Sequence, residues 1–385
     1  MTKLEAQRFI ENLQRHVYSH SDMEHKLSEK DDRKIKNKVM EEILQKMAPF
    51  TSPEKLNEHR EIIKKEIKDL SEMELPTRFE DPIWYSIILD LKTRIDEVAK
   101  DLSIPIPTEL VVGTLPTGRV NALTVKVPRS DDVVVLFESE LFTFANLLSK
   151  VAAKAMPFTG IKKDKFFSFS TDLDRPIDGD VLRRFQEVIS AYLLLGRPSA
   201  APSYIIEGPY MGLAGCLRDS MELFILGHEY GHIIGGHLSA GQKTSAHLLG
   251  GDEVNEIVYA WQQELEADAL GTQLMLNAMV KQGWDLSLSF WGADFFFSCI
   301  EIVERGISLI RTGEENNLPL SSHPPPNVRR DALRKALRNS FSEDLVEGPI
   351  QLGMTLEQII EGLWEKTRPT LRQYYENNQK LAPIW

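Results

Sequence analysis

Cysteine is nearly absent from this chain: Cys216 and Cys299 are the only two in 385 residues, and both have apolar neighbours. That is too few for a disulfide framework, so a reducing compartment is expected. Positive charge is also short. Lys and Arg number 45 against 57 Asp and Glu, a net charge of −12, which implies no broad basic face and argues against a nucleic-acid binder. The opening MTKLEAQRFIENLQRHVYSH lacks the apolar centre of a secretion signal. Long apolar runs are missing too. The nearest candidate, LSLSFWGADFFFSCIEIVERGISLI, is interrupted by Asp294, Glu301, Glu304 and Arg305, so it reads as a buried helix and not a membrane span. There are no internal repeats and no low-complexity tract. A cytoplasmic, soluble protein is the expectation, with 42% hydrophobic residues in a chain long enough for one large domain or two smaller ones.

What is present is mostly helical spacing. Residues 1 to about 76 are dense in Lys and Glu, with apolar stripes at Leu4, Phe9, Ile10 and Leu13 and at Val39, Ile43 and Leu44. They predict two or three amphipathic helices, one of them capped by Ser52 ahead of Pro53. This region is expected to be a solvated docking module, open to a regulatory partner. A helix from about Ile83 to Leu102 follows. Two β-branched runs, Val120 to Val127 and Val133 to Phe137, joined by PRSDD, predict a hairpin. Helical spacing returns at Leu141 and again over Val181–Leu195, around an irregular stretch FTGIKKDKFFSFSTDLDRPIDGD. From Leu217 the chain reads as helical, broken at GGHLSAGQKTSAHLLGGD and TGEENNLPLSSHPPP.

The chemistry concentrates at FILGHEYGHIIGGH, where three of the nine histidines fall within ten positions. His228 and His232 are four apart, so on a helix both imidazoles share a face and can bind one ion. Met221, Phe224 and Ile225 extend the apolar side of that helix. Glu229, beside the first histidine, is placed to take a proton from water held by the metal as that water attacks a carbonyl. The third ligand decides the class. His237 is one option, but the extended pattern HExxHxxGxxH needs histidine at the position of Leu238, one residue later. The better option is ELEADALG. There Glu264 completes a two-histidine, one-glutamate site, and Asp268, one turn on, can accept the free N–H of His228 and fix its tautomer. Phe295, Phe296 and Phe297 read as core.

These segments, taken in order, resemble the HtpX and CAAX prenyl endopeptidase family of gluzincins. HEYGHIIGGH resembles the family's active-site helix. ELEADALGTQLMLNAMVKQGWD resembles its ExxAD helix. SSHPPPNVRRDAL resembles its Ser/Thr-His-Pro segment, and VNALTV its Asn-Ala strand. The matches span roughly residues 105 to 337. The resemblance implies one Zn²⁺ per chain bound by His228, His232 and Glu264, with Glu229 as general base and acid and Asp268 behind a ligand histidine. It implies His323 near the reacting oxygen, or on the metal in a latent form. Arg329 would anchor that loop or stabilise the same charge, and Asn121, Ala122 and Leu123 would be a sheet edge for the substrate backbone. No GxMEN segment of the aminopeptidase gluzincins is present.

The expectations are therefore an α+β, mostly α-helical protein. A zincin-like domain over 77–340 carries a small mixed or antiparallel sheet whose edge strand faces the cleft. An insertion at about 145–215 covers or shapes that cleft, N-terminal helices precede the domain (1–76), and a helical extension follows (341–385). The expected function is zinc-dependent endopeptidase action on protein or peptide substrates. The alternative is a latent or silent zinc-stabilised regulatory protein.

Overall fold

The Lys/Glu-rich start folds as helices α1 (Lys3–Ser19), α2 (Arg33–Met47) and α3 (Pro53–Glu72). The structure, a computed structural model, describes residues 3–19, 33–106, 110–161, 167–169, 176–240, 242–247, 253–258, 261–315 and 323–385. Ser52 caps α3 as expected: its side chain accepts from the Lys55 N–H, and Pro53 occupies a position whose N–H would have no partner. The stripes fall differently from the sequence reading. In α1 the buried positions are Ala6, Ile10, Gln14, Val17 and Tyr18, while Leu4 is exposed. In α2 Met40 and Leu44 are buried and Ile43 is exposed; the side chain of Val39 lies outside the described residues. Helix α4 (Pro82–Asp101) begins where the Asp81 carboxylate accepts the Ile83 and Trp84 N–H groups.

Strands β1 (Val111–Leu115), β2 (Ala122–Lys126) and β3 (Val133–Glu138) form a sheet of order β1-β3-β2. The expected hairpin is β2–β3, antiparallel; β1 adds parallel to β3. The sequence reading leaves β1 unassigned. Every residue of it is buried, so it lacks the polar alternation that marks a half-exposed strand. Side-chain alternation gives the sheet two apolar faces. Val112, Ala122, Val135 and Phe137 face the main core, and Val111, Val125, Val134 and Leu136 face α1 with Ala6 and Ile10. Thus α1 is a layer of the fold.

A buried polar pin holds α1 in place. Gln14 Nε2 donates to Glu80 Oε1 at 2.6 Å and to the Thr114 carbonyl at 2.8 Å, and Thr114 donates N–H and Oγ1–H to the Glu80 carboxylate. Burial pushes the Glu80 carboxyl from an ordinary 4.5 up to about 7, against the lowering effect of those hydrogen bonds. Below pH 4.5 both folded and unfolded chains hold the proton and nothing is lost. Between 4.5 and 7 the unfolded chain releases it and the folded chain keeps it, so stability falls, by about 3 kcal/mol once pH exceeds 7. Glu80→Gln is expected to raise the melting temperature at pH 8 clearly more than at pH 5. An equal shift at both would show that Glu80 folds as a carboxylate.

The rest is helical: α5 (Ser139–Ala155), α6 (Gly179–Leu195), α7 (Gly208–Ile234), α8 (Trp261–Lys281), α9 (Leu286–Thr312), α10 (Pro326–Ser340) and α11 (Glu343–Glu376). Two further strand pairs interrupt the helices, and the second runs past the break expected to end at Asp252. β4 (Phe158–Ile161) pairs with β5 (Phe167–Phe169), and β6 (Gln242–His247) with β7 (Glu253–Val258), both antiparallel. QKTSAH offers too few apolar residues to announce a strand. Within 145–215, α5 and α6 contribute Leu148, Val188 and Leu193 to the main core, so this stretch is a structural layer.

Helix α9 is the buried helix the sequence predicts. It is long and apolar enough to cross a membrane by length and composition, and 72% of the relevant window is buried inside the protein. Asp294, one of the charges that argued against a span, is fully buried and takes a two-point bond from Arg334 at 2.6 and 2.8 Å. Arg330 bonds Glu301 at 2.9 Å and Glu357 at 2.7 Å. These pairs fix α10 between α9 and α11, and α10 carries Arg329. Helix α11 buries Leu356 and Trp364 in the same core, so the packing runs across position 341 without a break.

Candidate metal centre

The two helices that carry the motifs touch at their backbones. A Cβ on Gly227 would meet the Gly271 carbonyl oxygen at 2.7 Å, one on Gly231 the Ala267 oxygen at 2.6 Å, and one on Gly271 the His228 nitrogen at 2.5 Å. Any side chain at these three positions would force α7 and α8 apart. Their contact places His228 and His232 opposite Glu264 and Asp268. From behind, α4 holds α7: Arg94 grips Asp219 at 2.6 and 2.7 Å, and the Tyr230 hydroxyl donates to Asp96 at 2.7 Å.

His228 Nε2 and His232 Nε2 lie 3.0 Å apart, and the Glu264 oxygens approach them at 3.8 and 3.5 Å. Two ligands on a tetrahedral zinc, each about 2.0–2.1 Å from it, sit about 3.3 Å apart. The three gaps bracket that value, so these residues fit one zinc-sized ion. Two further facts agree. The His228 Nδ1 lies 2.8 Å from Asp268 Oδ1, which puts its proton there and leaves Nε2 as a lone pair. Glu264 is 0% exposed, and its Oε1 accepts no hydrogen bond among the described residues, an arrangement that is costly unless a cation faces it.

The surrounding charges act differently on each donor: burial opposes the charged form of His228, but Asp268 raises its imidazole above the ordinary value. Burial alone would raise the Asp268 carboxyl, but the Arg329 guanidinium, bonded to it at 2.7 and 2.6 Å, and His228 hold it below its ordinary value. Burial likewise opposes ionisation of Glu264, yet His323, His228 and Arg329 bring it below the usual carboxylate range. Burial and the neighbouring His228 and His237 push His232 well below an ordinary imidazole, so it is neutral. Arg329 also lies over the Phe297 ring at 4.6 Å.

Glu229 is 5% exposed, and Thr124 Oγ1 donates to its Oε2 at 2.6 Å. Burial raises its carboxyl against the lowering effect of His228 and of that hydrogen bond. A cavity of about 190 Å³ opens over the group. One wall is Val120, Asn121, Ala122, Leu123 and Thr124; the other includes Phe224, Ile225, Phe296, Phe297 and Ile300, and Glu304, His323, Pro324, Pro326 and Arg329 also line it. β2 is the edge of its sheet, and among the described residues its strand partner is β3 alone. No described residue of 145–215 lines this cavity.

Most residues singled out from the sequence meet here: His228, Glu229, His232, Glu264, Asp268, His323, Arg329 and the Asn121–Leu123 edge. Arg329 grips Asp268 directly. His323, whose side chain is half-exposed, brings Nδ1 within 2.9 Å of Glu264 Oε2. Ser321 and Ser322, which precede it, lie outside the described residues. Two readings change. Phe295 is core, but Phe296 and Phe297 line the cavity. His237 stands behind His232, on the Nδ1 side, 3.0 Å from it. Thr124 went unnoticed in the sequence. Its signal was the alternation of β2, which sets it on the same face as buried Ala122. Comparisons with known protein families, with characterised proteins and with solved structures give no match.

Proposed function

We propose that this chain is a zinc-dependent endopeptidase of gluzincin type that hydrolyses peptide bonds of protein substrates. The observation that carries the reading is the convergence of His228, His232 and Glu264 beside a buried Glu229, in a cavity walled by the edge strand of a sheet. The sequence resemblance of the HExxH, ExxAD and Ser-His-Pro segments to one peptidase family supports it.

A zinc ion held by the three ligands would lower the pKa of water and polarise the scissile carbonyl. This chain's own groups supply the rest. An extended substrate would add to β2 at Asn121–Leu123, which aligns the scissile bond by main-chain hydrogen bonds. Glu229 takes the proton of the attacking water as the new C–O bond forms. It then delivers that proton to the amide nitrogen as the C–N bond breaks. Thr124 holds the carboxylate for both transfers. His323 and Arg329, on the cavity lining, balance negative charge on the carbonyl oxygen. The phenylalanine wall would receive an apolar substrate side chain.

The test is a census of new protein N-termini in the native cell, wild type against Glu229→Gln. Termini that appear only with wild type would support the proposal and give the cleavage rule; identical sets would remove it. A second reading has one specific observation behind it. His323 Nδ1 sits 2.9 Å from a Glu264 oxygen, close enough for that loop to restrain the centre in a latent state. His323→Ala raising turnover would support latency, and lowering it would support a direct catalytic role.

A further inference from the structure

We propose that His237 and Glu266 form a relay that orients His232 as a metal ligand, an inference that rests on the zinc reading above. His232 turns Nε2 toward His228 Nε2 and Glu264, so its proton belongs on Nδ1. The atom facing that proton is Nδ1 of His237, at 3.0 Å. To accept, His237 must carry its own proton on Nε2, and Nε2 points at Glu266 Oε2, 3.4 Å away. Each tautomer in the row fixes the next. The two ligand histidines are thus treated alike: His228 donates to a carboxylate directly, and His232 does so through one imidazole.

The backbone is shaped for this contact. Helix α7 ends at Gly235, and Gly236 takes φ +67°, a left-handed conformation that reverses the chain. His237 then folds back over the helix end and is 3% exposed. A Cβ on Gly235 would stand 2.5 Å from His237 Nε2 and 2.8 Å from Cε1, so only glycine leaves the ring its seat. The spacing that misses the HExxHxxGxxH pattern by one residue is the spacing this return requires.

Outer partners of ligand histidines are typically worth about 10–100-fold in metal affinity. The experiment is competitive Zn²⁺ titration of the full chain, with apo melting curves to confirm folding and the visible spectrum of the Co²⁺ form as a second readout. His237→Leu removes the acceptor and is expected to weaken Zn²⁺ binding about 10–100-fold and to move the Co²⁺ bands. His237→Asn places Oδ1 where Nδ1 stood and is expected to restore most of that loss. Gly235→Ala, which keeps both histidines but displaces the ring, is expected to resemble His237→Leu. Glu266→Ala acts through a half-exposed group and costs less. Wild-type affinity in His237→Leu would overturn the relay, as would His237→Asn binding no better than His237→Leu. If the wild-type chain binds no divalent ion, the zinc reading itself fails and takes the relay with it.

Discussion

Replacing Glu264 with alanine is expected to lower Zn²⁺ affinity about a hundred- to a thousand-fold without destabilising the metal-free protein. Structural zinc sites bind with about 10–16 kcal/mol, so one of four ligands corresponds to about 2.5–4 kcal/mol. The second half of the prediction is the sharper one. Glu264 is fully buried, and one of its oxygens has no hydrogen-bond donor among the described residues, but His323, His228 and Arg329 hold its carboxyl below the ordinary value, so burial cost and attraction offset each other and the metal-free variant should melt close to wild type. Its removal does leave Arg329 without a contact at 3.4 Å, but that guanidinium keeps its stronger two-point bond to Asp268. Wild type should therefore melt higher when Zn²⁺ is added, by the linkage of binding to folding, and Glu264→Ala should hardly respond. If instead the metal-free variant melts much lower and Zn²⁺ shifts both proteins equally, Glu264 is a structural acid. The ion then binds elsewhere.

How far this centre could be read from sequence follows from the distance each signal acts over. His228 and His232, and Glu264 and Asp268, are pairs four apart on helices, and helical geometry alone puts each pair on one face. The bond from His228 to Asp268 was foreseeable on other grounds, because a ligand histidine needs an acceptor for its free N–H. Joining the two helices was not a matter of periodicity. It depends on the glycines at 227, 231 and 271, whose meaning appears only when the backbones are seen to touch. Thr124 is 105 residues from Glu229, and no local pattern connects them. His237 illustrates a different limit. Read along a continuing helix it is a ligand one residue out of place; the turn at Gly236 changes which side of His232 it reaches. The strands fared worst. β1 is buried throughout and β6 is polar, so neither carries the alternation on which strand assignment relies. Charges inside apolar runs proved informative: Asp294 argued against a membrane span and turns out to be the partner that seats Arg334, and so α10.

Glu229→Gln should separate binding from chemistry more cleanly than any other single change. Glutamine has the shape of glutamate and can keep the contact with Thr124, so the Nε2 atoms of His228 and His232 should stay where they are and Zn²⁺ stoichiometry should remain one per chain. What disappears is a group that can accept and return a proton. General acid–base catalysis is worth about 10²–10⁴-fold, and one residue serving both transfers belongs at the upper end. The expected result is full metal binding with peptide cleavage reduced about a thousand-fold or more. Thr124→Val supplies the calibration. It leaves the carboxylate in place but removes the donor that aims it, a charge-assisted bond worth about 1.5–3 kcal/mol, so a loss of roughly ten- to a hundred-fold in kcat is expected with little change in KM. The order matters more than the absolute values. If Thr124→Val were as damaging as Glu229→Gln, the pair would be serving the packing of β2 against α7. If Glu229→Gln cleaved at the wild-type rate, the proton would have to be carried by another group on the cavity lining, and Glu304 is the carboxylate there that no other step uses.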